Sequence, residues 1–232
     1  MILLFLDTSG PSAGVALMED GVVRYEAMTV NAFTHSQSIL PMTEEAFRRT
    51  GLSLEEVDYL AVTEGPGSFT GVRIGVSTVK GLAHALNKPC VAVDALEAMA
   101  AGVRPFSGVI CPIQDARAGQ VYGAAFQGET LARLLPDQPL KLEEFLDQAG
   151  ALGERLLFLG DGMPVHRERI AAMMGERALF APPHLAFLRP AAAAALAWEK
   201  RDEAVDYLSL EPLYLRAPSA ERQKNLKERP HA

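Results

Sequence analysis

Short apolar runs and amphipathic stretches alternate along this chain, which predicts a fold of alternating strands and helices. The first run, residues 2–6, is apolar without a break, as expected for a central strand covered on both faces. Two further runs, 15–18 and 22–29, flank Asp20-Gly21, a dipeptide that favours a tight hairpin turn. Capping residues and helical spacing then predict a helix within residues 34–50.

The start of this helix has two possible positions in the sequence. Thr34 with Gln37 matches a capping box, which favours a start directly after Thr34. Pro41 would then lie inside the helix and remove a hydrogen bond, whereas a start at Ser38 places Pro41 in the first turn. We therefore expect the helix to span residues 38–50.

A glycine-rich segment, residues 64–75, joins a strand at 58–64 to a helix at 69–85 and is the most informative stretch of the sequence. Gly65 and Gly67 flank a proline in a tight turn, which exposes backbone N–H groups at a helix start, where an anion is favoured. The spacing matches neither a P-loop nor a dinucleotide fingerprint. The segment predicts either a phosphate site or a turn that packs the helix on the sheet.

Small residues form two rows along the helix at 69–85. Gly71 and Gly75 make one row, and Ser77, Gly81 and Ala85 make the other, with a spacing of four residues in each. Each glycine lowers helix stability by about 0.5–1 kcal/mol relative to alanine, so the rows indicate a very close neighbour. Packing within the chain is the commoner cause, and a helix of a partner is the alternative.

The pattern restarts in the second half of the chain. A turn led by Asp115 lies between two strand-like runs, as Asp7 does in the first half, which indicates a weak internal repeat with a boundary near 103–107. Asp94 with Glu97 caps a further helix. The other expected elements are strands at 90–93, 109–114, 120–126 and 156–159, helices at 141–149, 165–174 and 190–200, and an extended segment at 212–216.

Composition narrows the class of protein. The 232 residues are 49% hydrophobic, enough for a core, and the net charge of −7 argues against a protein that grips nucleic acid unaided. The C-terminal tail is the exception, because residues 221–229 carry four cations against two glutamates. Two interpretations of this tail stay open, a solvated terminus and an arm that contacts RNA; its cations are Arg222, Lys224, Lys227 and Arg229.

Cysteine usage and the N-terminal segment predict the compartment. Cys90 and Cys111 lie in apolar runs without metal-ligand spacing, which is typical of core residues in a reducing environment. The N-terminal run ends at Asp7 and lacks a basic flank, so it reads as a strand and not as a signal peptide. No apolar run approaches the ~20 residues that a membrane helix needs. We expect a soluble cytoplasmic protein that does not contact membranes.

Several motifs together resemble the TsaB (YeaZ) family, which takes part in bacterial tRNA threonylcarbamoyladenosine biosynthesis. The resemblance spans nearly the whole chain, and the block that begins Gly-Pro-Gly-Ser-Phe-Thr-Gly is highly specific. The motifs are Asp7-Thr8-Ser9, Ile39-Leu40-Pro41-Met42, residues 65–75, Asp115-Ala116-Arg117 with Gly119, Val121 and Tyr122, and Pro212 with Tyr214-Leu215-Arg216. The resemblance implies the α/β fold shared by actin, Hsp70 and sugar kinases, with mixed sheets flanked by helices. It implies two related lobes, 1–105 for partner binding and 106–232, with the C-terminal segment returning to the first lobe.

The same resemblance implies a non-catalytic protein. TsaD, the catalytic paralogue, carries two metal-binding histidines four residues apart after the Gly-Pro-Gly helix, and the matching positions here are Ala95 and Met99. Neither side chain replaces imidazole for a divalent ion. We therefore expect no catalytic residue, no metal site and no cofactor.

Weak ATP or ADP binding stays open as a vestige of the fold. In many proteins of this fold, the aspartate in the turn after the first strand holds a hydrated magnesium ion. Asp side chains also commonly accept hydrogen bonds from N–H groups of their own turn. The candidate residues for a vestigial nucleotide or phosphate site are Asp7, Thr8, Ser9, Gly65, Gly67 and Asp115.

The resemblance further implies the partners. The first lobe is expected to bind TsaD in a heterodimer that recruits the ATPase TsaE, to form a homodimer in isolation, and to meet tRNA only within the complex. The expected interface lies on the helices at 38–50 and 69–86 and comprises His35, Ile39, Leu40, Met42, Phe47, Arg73, Val76 and Lys80.

Two other classes of function are weighed against this one. A small-molecule kinase or ATPase of the same fold is the first alternative, for which Asp7 and Asp115 would hold the metal. A peptidase is the second, but neither a Ser/His/Asp arrangement nor a His-Glu-x-x-His motif is evident in the sequence.

Overall fold

The computed structural model describes residues 1–30 and 34–216, and its first half forms a five-stranded mixed sheet. The strand order is β3-β2-β1-β4-β5, with β1 antiparallel to β2 and parallel to β4. The strands are β1 (Ile2–Asp7), β2 (Ala13–Glu19), β3 (Val22–Thr29), β4 (Tyr59–Gly65) and β5 (Cys90–Asp94), and the helices are α1 (His35–Thr50), α2 (Phe69–Leu86) and α3 (Ala95–Ala101).

The second half repeats the central part of this arrangement. Its strand order is β10-β9-β6-β7-β8, and β6 pairs antiparallel with β7 and parallel with β9, as β1 does with β2 and β4. The strands are β6 (Val109–Asp115), β7 (Gln120–Gln127), β8 (Arg133–Lys141), β9 (Leu156–Leu159) and β10 (Ala178–Phe180), and the helices are α4 (Leu142–Gly150), α5 (Gly162–Met174) and α6 (Pro190–Glu199). The internal repeat predicted from the two aspartate-led turns is therefore confirmed. The division into lobes at residue 105 stays a prediction.

Three apolar clusters place the sheets and helices in layers. β1 is buried on both faces, as its unbroken apolar run predicted: Leu4 and Leu6 face α1 and α2, whereas Leu3 and Phe5 face α3 and α6. The cluster around α3 and α6 also takes in side chains of β6 and β7, so it lies between the two sheets. The third cluster lies under α4 and α5 on the other face of the second sheet.

The expected start of α1 was wrong by three residues. The helix begins at His35, directly after Thr34, whose backbone N–H donates to Gln37 Oε1 at 3.1 Å. The capping box therefore decides where the helix begins, and Pro41 lies inside the helix.

Two short or proline-containing strands, β8 and β10, were absent from the expected elements, and the segment 212–216 is extended without belonging to a strand. The outer edge of β5 is bridged at its first residue by a later part of the chain, because Cys90 and Val205 exchange two backbone hydrogen bonds of 2.8 Å. In the described part of the chain, no helix combines the length and apolar character needed to cross a membrane. The basic tail at 221–229 lies outside the described residues.

Candidate functional site

Three turns and the end of the described chain surround a cleft of about 640 Å³. The turns follow β1, β4 and β6, and a further wall is formed by residues 213–216 of the segment 205–216, which we call the strap. His35, Tyr122 and Asp161 also contribute to the lining. In open α/β sheets, ligands commonly bind where strands end at one edge. This cleft is therefore the candidate functional site.

Asp7 lies behind the wall of the cleft and holds the first turn together. Its side chain is buried, and Oδ1 accepts hydrogen bonds from the Ser9 backbone N–H at 2.9 Å and from the Ser9 hydroxyl at 2.7 Å. Burial raises the pKa of Asp7, and the bonds from Ser9 oppose that rise. The carboxylate is thus used by its own turn.

Asp115 has the same turn role but faces the cleft. Its Oδ1 accepts the Arg117 backbone N–H at 3.0 Å, and the residue lines the cleft with Ser9 and Gly67. The interpretation that both aspartates satisfy turn N–H groups is confirmed. Of the six candidate phosphate-site residues, Asp7, Thr8 and Gly65 do not line the cleft. The nucleotide site stays a prediction, in which Ser9, Gly67 and Asp115 are the residues that line the cleft.

Close backbone approach explains the Gly-Pro-Gly turn. A Cβ at Gly67 would lie 2.3 Å from the Ser9 carbonyl oxygen, and a Cβ at Gly65, whose φ is +133°, would lie 2.5 Å from the Leu213 carbonyl oxygen. The Ser68 N–H also donates to the Ser9 carbonyl oxygen at 2.7 Å. The turn therefore packs the start of α2 against the β1 turn and the strap, which is the packing alternative raised by the sequence.

The strap connects the first sheet to the β6 turn. The Leu213 N–H donates to the Glu64 carbonyl oxygen at 2.7 Å, and Lys80 Nζ donates to the Leu210 carbonyl oxygen at 3.0 Å. At its far end, Arg216 Nη1 donates to the Ala116 carbonyl oxygen at 3.1 Å. The motif at 212–216 thus fixes one wall of the cleft.

Three polar side chains at the base of the cleft were not named as site residues from the sequence; Gln114 and the half-buried Asp161 line the cleft, and the buried His166 lies beside them. Gln114 is only 3% exposed, and neither its amide nitrogen nor its amide oxygen has a hydrogen-bond partner among the described residues. Asp161 Oδ1 and His166 Nε2 are likewise unpartnered there, and His166 Nε2 lies 3.6 Å from Asp115 Oδ1, too far for a hydrogen bond. Burial, with Asp115 nearby, raises the pKa of Asp161 to about 6.

The two positions that match, by resemblance, the metal-binding histidines of TsaD lie in the core. Ala95 and Met99 begin and continue α3, and both are buried in the cluster between the two sheets. Among the described residues, no group of three or more histidine, cysteine, aspartate or glutamate side chains is close enough to hold a metal ion. This helix therefore contributes apolar packing.

The predicted partner interface needs correction at two residues. Ile39 and Val76 are 1% and 2% exposed and belong to the cluster between α1, α2 and the first sheet, so they offer no surface to a partner. Lys80 is held by the strap, and His35 Nε2 lies 3.0 Å from the Gly10 carbonyl oxygen.

The remaining predicted interface residues keep some surface. Leu40 is 47% exposed and Arg73 is also exposed, while Met42 and Phe47 are half-buried against the same cluster.

The two rows of small residues on α2 face opposite ways. Gly71 and Gly75 are buried against Thr8, which accounts for that row as internal packing. Ser77, Gly81 and Ala85 are exposed, and no atom of the described residues lies within 4 Å of the place that a Cβ would take at Gly81. Packing within the described part of the chain therefore does not account for the second row.

Comparisons with known proteins identify a family model and close relatives for this chain. A family model described as TsaD, tRNA N6-adenosine threonylcarbamoyltransferase, matches residues 29–224. The tRNA threonylcarbamoyladenosine biosynthesis protein TsaB of Bacillus subtilis is 36% identical over 223 residues, which cover 95% of this chain and 96% of that protein.

Solved structures give the same result. YeaZ from Pseudomonas aeruginosa is 28% identical with a TM-score of 0.74, and the match covers 92% of this chain and 99% of that one. Component A of the (R)-2-hydroxyglutaryl-CoA dehydratase of Acidaminococcus fermentans matches at 12% identity with a TM-score of 0.51, over 87% of this chain and 99% of that one, which bears on the fold alone. The predicted actin-like α/β fold is confirmed.

Proposed function

This chain belongs to the TsaB (YeaZ) family of tRNA threonylcarbamoyladenosine biosynthesis proteins, and from that premise we propose that it is the non-catalytic subunit that binds the transferase TsaD. In this proposal the pair transfers a threonylcarbamoyl group to N6 of adenosine-37 in tRNAs that read ANN codons. The chain needs no cofactor of its own, works in the cytoplasm, and joins TsaE only through the pair.

The observation that carries the proposal is the pair of side chains at positions 95 and 99. By resemblance, TsaD has metal-binding histidines at these places. Ala95 has only a methyl group and the Met99 thioether is a poor ligand for a hard cation. Because both side chains are packed between the sheets, imidazoles there would have to enter an apolar core. The local structure supports packing in place of metal chemistry.

The proposed partner surface is the exposed face of α1 and α2, which lie side by side on the first sheet. Leu40 supplies an exposed apolar side chain on α1, and Ser77, Gly81 and Ala85 supply a row without large side chains on α2. Small residues allow a neighbouring helix to approach closely, and an exposed apolar side chain beside them adds buried area on contact. When TsaD is absent, the same face pairs with a second copy of the chain.

Light-scattering chromatography of the chain, alone and mixed with TsaD of the same organism, tests the proposal. Threonylcarbamoyl transfer to a tRNA transcript is assayed on every peak, with TsaE present. We expect a heterodimer, with transfer only in fractions that contain TsaD. Absence of a complex, or transfer by this chain alone, contradicts the proposal.

A small-molecule kinase is the second candidate, favoured by the cleft that is lined by Asp115 and the partly desolvated Asp161. It predicts ATP turnover by the purified chain that is lost in Asp115→Asn. Asp7→Ala is a poor test, because it leaves the Ser9 N–H and hydroxyl without their acceptor. No turnover above that of the Asp115→Asn chain rejects this candidate.

A further inference from the structure

Two arginines line the cleft and a third lies beside it on α2. Arg117 and Arg216 line the cleft, and Arg73 follows the lining residue Phe69 by one helical turn on α2. None of the three forms an ion pair within the part of the chain that the structure describes. The chain carries a net charge of −7, and several other arginines are ion-paired, such as Arg24, Arg49 and Arg189. Three uncompensated cations therefore lie near one another beside the cleft.

Aromatic rings lie beside these cations. The rings of Phe69 and Tyr214 have centroids 4.8 Å apart and an interplanar angle of 31°, and the Arg73 guanidinium carbon lies 4.9 Å from the Phe69 centroid. Tyr214 nevertheless keeps 42% of its surface exposed. Because the neighbouring Leu213 N–H is bonded to Glu64, the Tyr214 ring is held in place before any ligand arrives.

Guanidinium groups beside a fixed, exposed aromatic ring recognise a phosphate and a base together. Base stacking tolerates any sequence, whereas unpaired arginines neutralise the backbone. We propose that the mouth of the cleft binds unpaired nucleotides of an RNA, with Tyr214 as the stacking surface and Arg73 and Arg117 as phosphate contacts. This function goes beyond TsaD binding: Tyr214 and Arg117 lie outside α1 and α2, whereas Arg73 is shared with the exposed face of α2 that is proposed to meet TsaD.

The charge distribution favours a strand across the mouth over a free nucleotide inside the cleft. Asp115 and Asp161 both line the cleft, so a triphosphate placed there would meet two carboxylates. The arginines lie at the rim, where a polyanion remains in contact with solvent and meets positive charge first. The family's place in tRNA modification supplies an RNA of this kind, whose loops expose unstacked bases.

Fluorescence anisotropy with a labelled tRNA transcript and with a short single-stranded RNA tests the proposal, using the full chain alone and in its complex with TsaD. We expect Tyr214→Ala to weaken binding about tenfold, the scale of one lost base stack. In the double variant Arg73→Gln/Arg117→Gln, we expect the slope of log binding constant against log salt concentration to become smaller by about 1.4. Each phosphate contact to a single strand contributes about 0.7 to this slope. Circular dichroism checks that each variant is folded. If Tyr214→Ala is not folded, the double arginine variant decides the test.

Arg155→Gln is the matched control. Arg155 is also exposed and lies over a phenylalanine ring, 5.4 Å from the Phe106 centroid, but outside the cleft. We expect RNA binding by this variant to equal that of the unchanged chain. Equal binding by all variants, or an equal loss in Arg155→Gln, overturns the proposal.

Two further arms separate the alternatives. If replacing Arg222, Lys224, Lys227 and Arg229 by glutamine in the full chain abolishes binding while Tyr214→Ala does not affect it, the tail and not the cleft binds RNA. If AMP or ATP binds with the same dependence on Tyr214 and RNA does not bind, the ligand is a free nucleotide.

The same variants are tested for TsaD binding by light scattering. Retained TsaD binding with lost RNA binding supports the proposal. If TsaD binding is lost as well, Tyr214 and the arginines belong to the protein interface, and the RNA proposal fails.

Discussion

The Thr8 carbonyl oxygen lies 2.1 Å from the place that a side-chain carbon would take at Gly71. The Thr8 hydroxyl also donates to the Gly71 carbonyl oxygen at 2.7 Å, so two contacts press α2 against the turn after β1. Only glycine allows the helix to lie this close to the backbone of its neighbour.

Gly71→Ala is therefore expected to lower the free energy of unfolding by about 1–3 kcal/mol, the usual cost of overpacking a filled site. Gly81→Ala on the same helix has open space around the new methyl group, and we expect it to raise the free energy of unfolding by about 0.5–1 kcal/mol. Urea unfolding followed by circular dichroism measures both. Similar values for the two variants would contradict the close contact at Thr8.

Leu40→Glu is expected to abolish the complex with TsaD and to change the free energy of unfolding by no more than about 0.5 kcal/mol, as for most exposed positions. Val22→Glu on the edge strand β3 is the control, since Val22 is even more exposed and lies outside α1 and α2. Light scattering of mixtures with TsaD measures complex formation. Phe47 is less suitable, because its side chain also packs against the core.

Stability is expected to fall as pH rises, because of Asp94. Burial and the neighbouring Asp137 carboxyl raise the pKa of Asp94 to about 8, although Arg133 Nη2 lies 3.6 Å from Asp94 Oδ2 and opposes the rise. The folded state then binds more protons than the unfolded state between the ordinary aspartate pKa and about 8. The stabilisation that protonated Asp94 provides is complete below the ordinary aspartate pKa. It is lost as the pH rises from that value through about 8.

Asp94→Asn tests this pH dependence without removing the helix cap. Asp94 Oδ1 accepts the Glu97 N–H at 2.7 Å at the start of α3, and an asparagine oxygen can accept the same bond. Urea unfolding from pH 5 to pH 8 should show a shallower fall for the variant than for the unchanged chain. Equal slopes would mean that other groups cause the fall; the charged groups facing Asp94 are Asp137, Arg133, Glu97 and Glu64, and Lys200 binds Glu97.

Both thiols are expected to resist a disulfide reagent in the folded protein. Burial raises the pKa of Cys90 to about 11 and that of Cys111 further, so neither forms a thiolate at neutral pH. Ellman's reagent should titrate two thiols only after denaturant is added. Rapid reaction of one thiol without denaturant would show that its strand opens.

Most strands and helices could be predicted from residues that lie close together in the sequence. The capping residues of α1 and α3 and the hairpin at Asp20-Gly21 act within a few residues, so they can be recognised without the tertiary structure. The strand β8 was missed because Pro136 and Pro139 argue against a central strand. It is an edge strand, where a missing N–H need not break a ladder bond.

The candidate site was predictable only in part. Asp7 and Asp115 are the last residues of β1 and β6, so the turns that follow them could be identified from spacing. The group of Gln114, Asp161 and His166 could not, because its members come from β6, the turn before α5 and α5 itself. Only the pairing of β6 with β9 brings them together. The exposed and buried rows of α2 likewise differ in their neighbours and not in their composition.

The strap has a consequence for synthesis on the ribosome. Cys90 leaves the ribosome long before Val205, its backbone partner, so the start of the β5 edge stays without this bridge for on the order of ten seconds of translation. An open strand edge can pair with another nascent chain. Premature termination upstream of the strap would make this exposure permanent, and such fragments should be early substrates for chaperones and proteases.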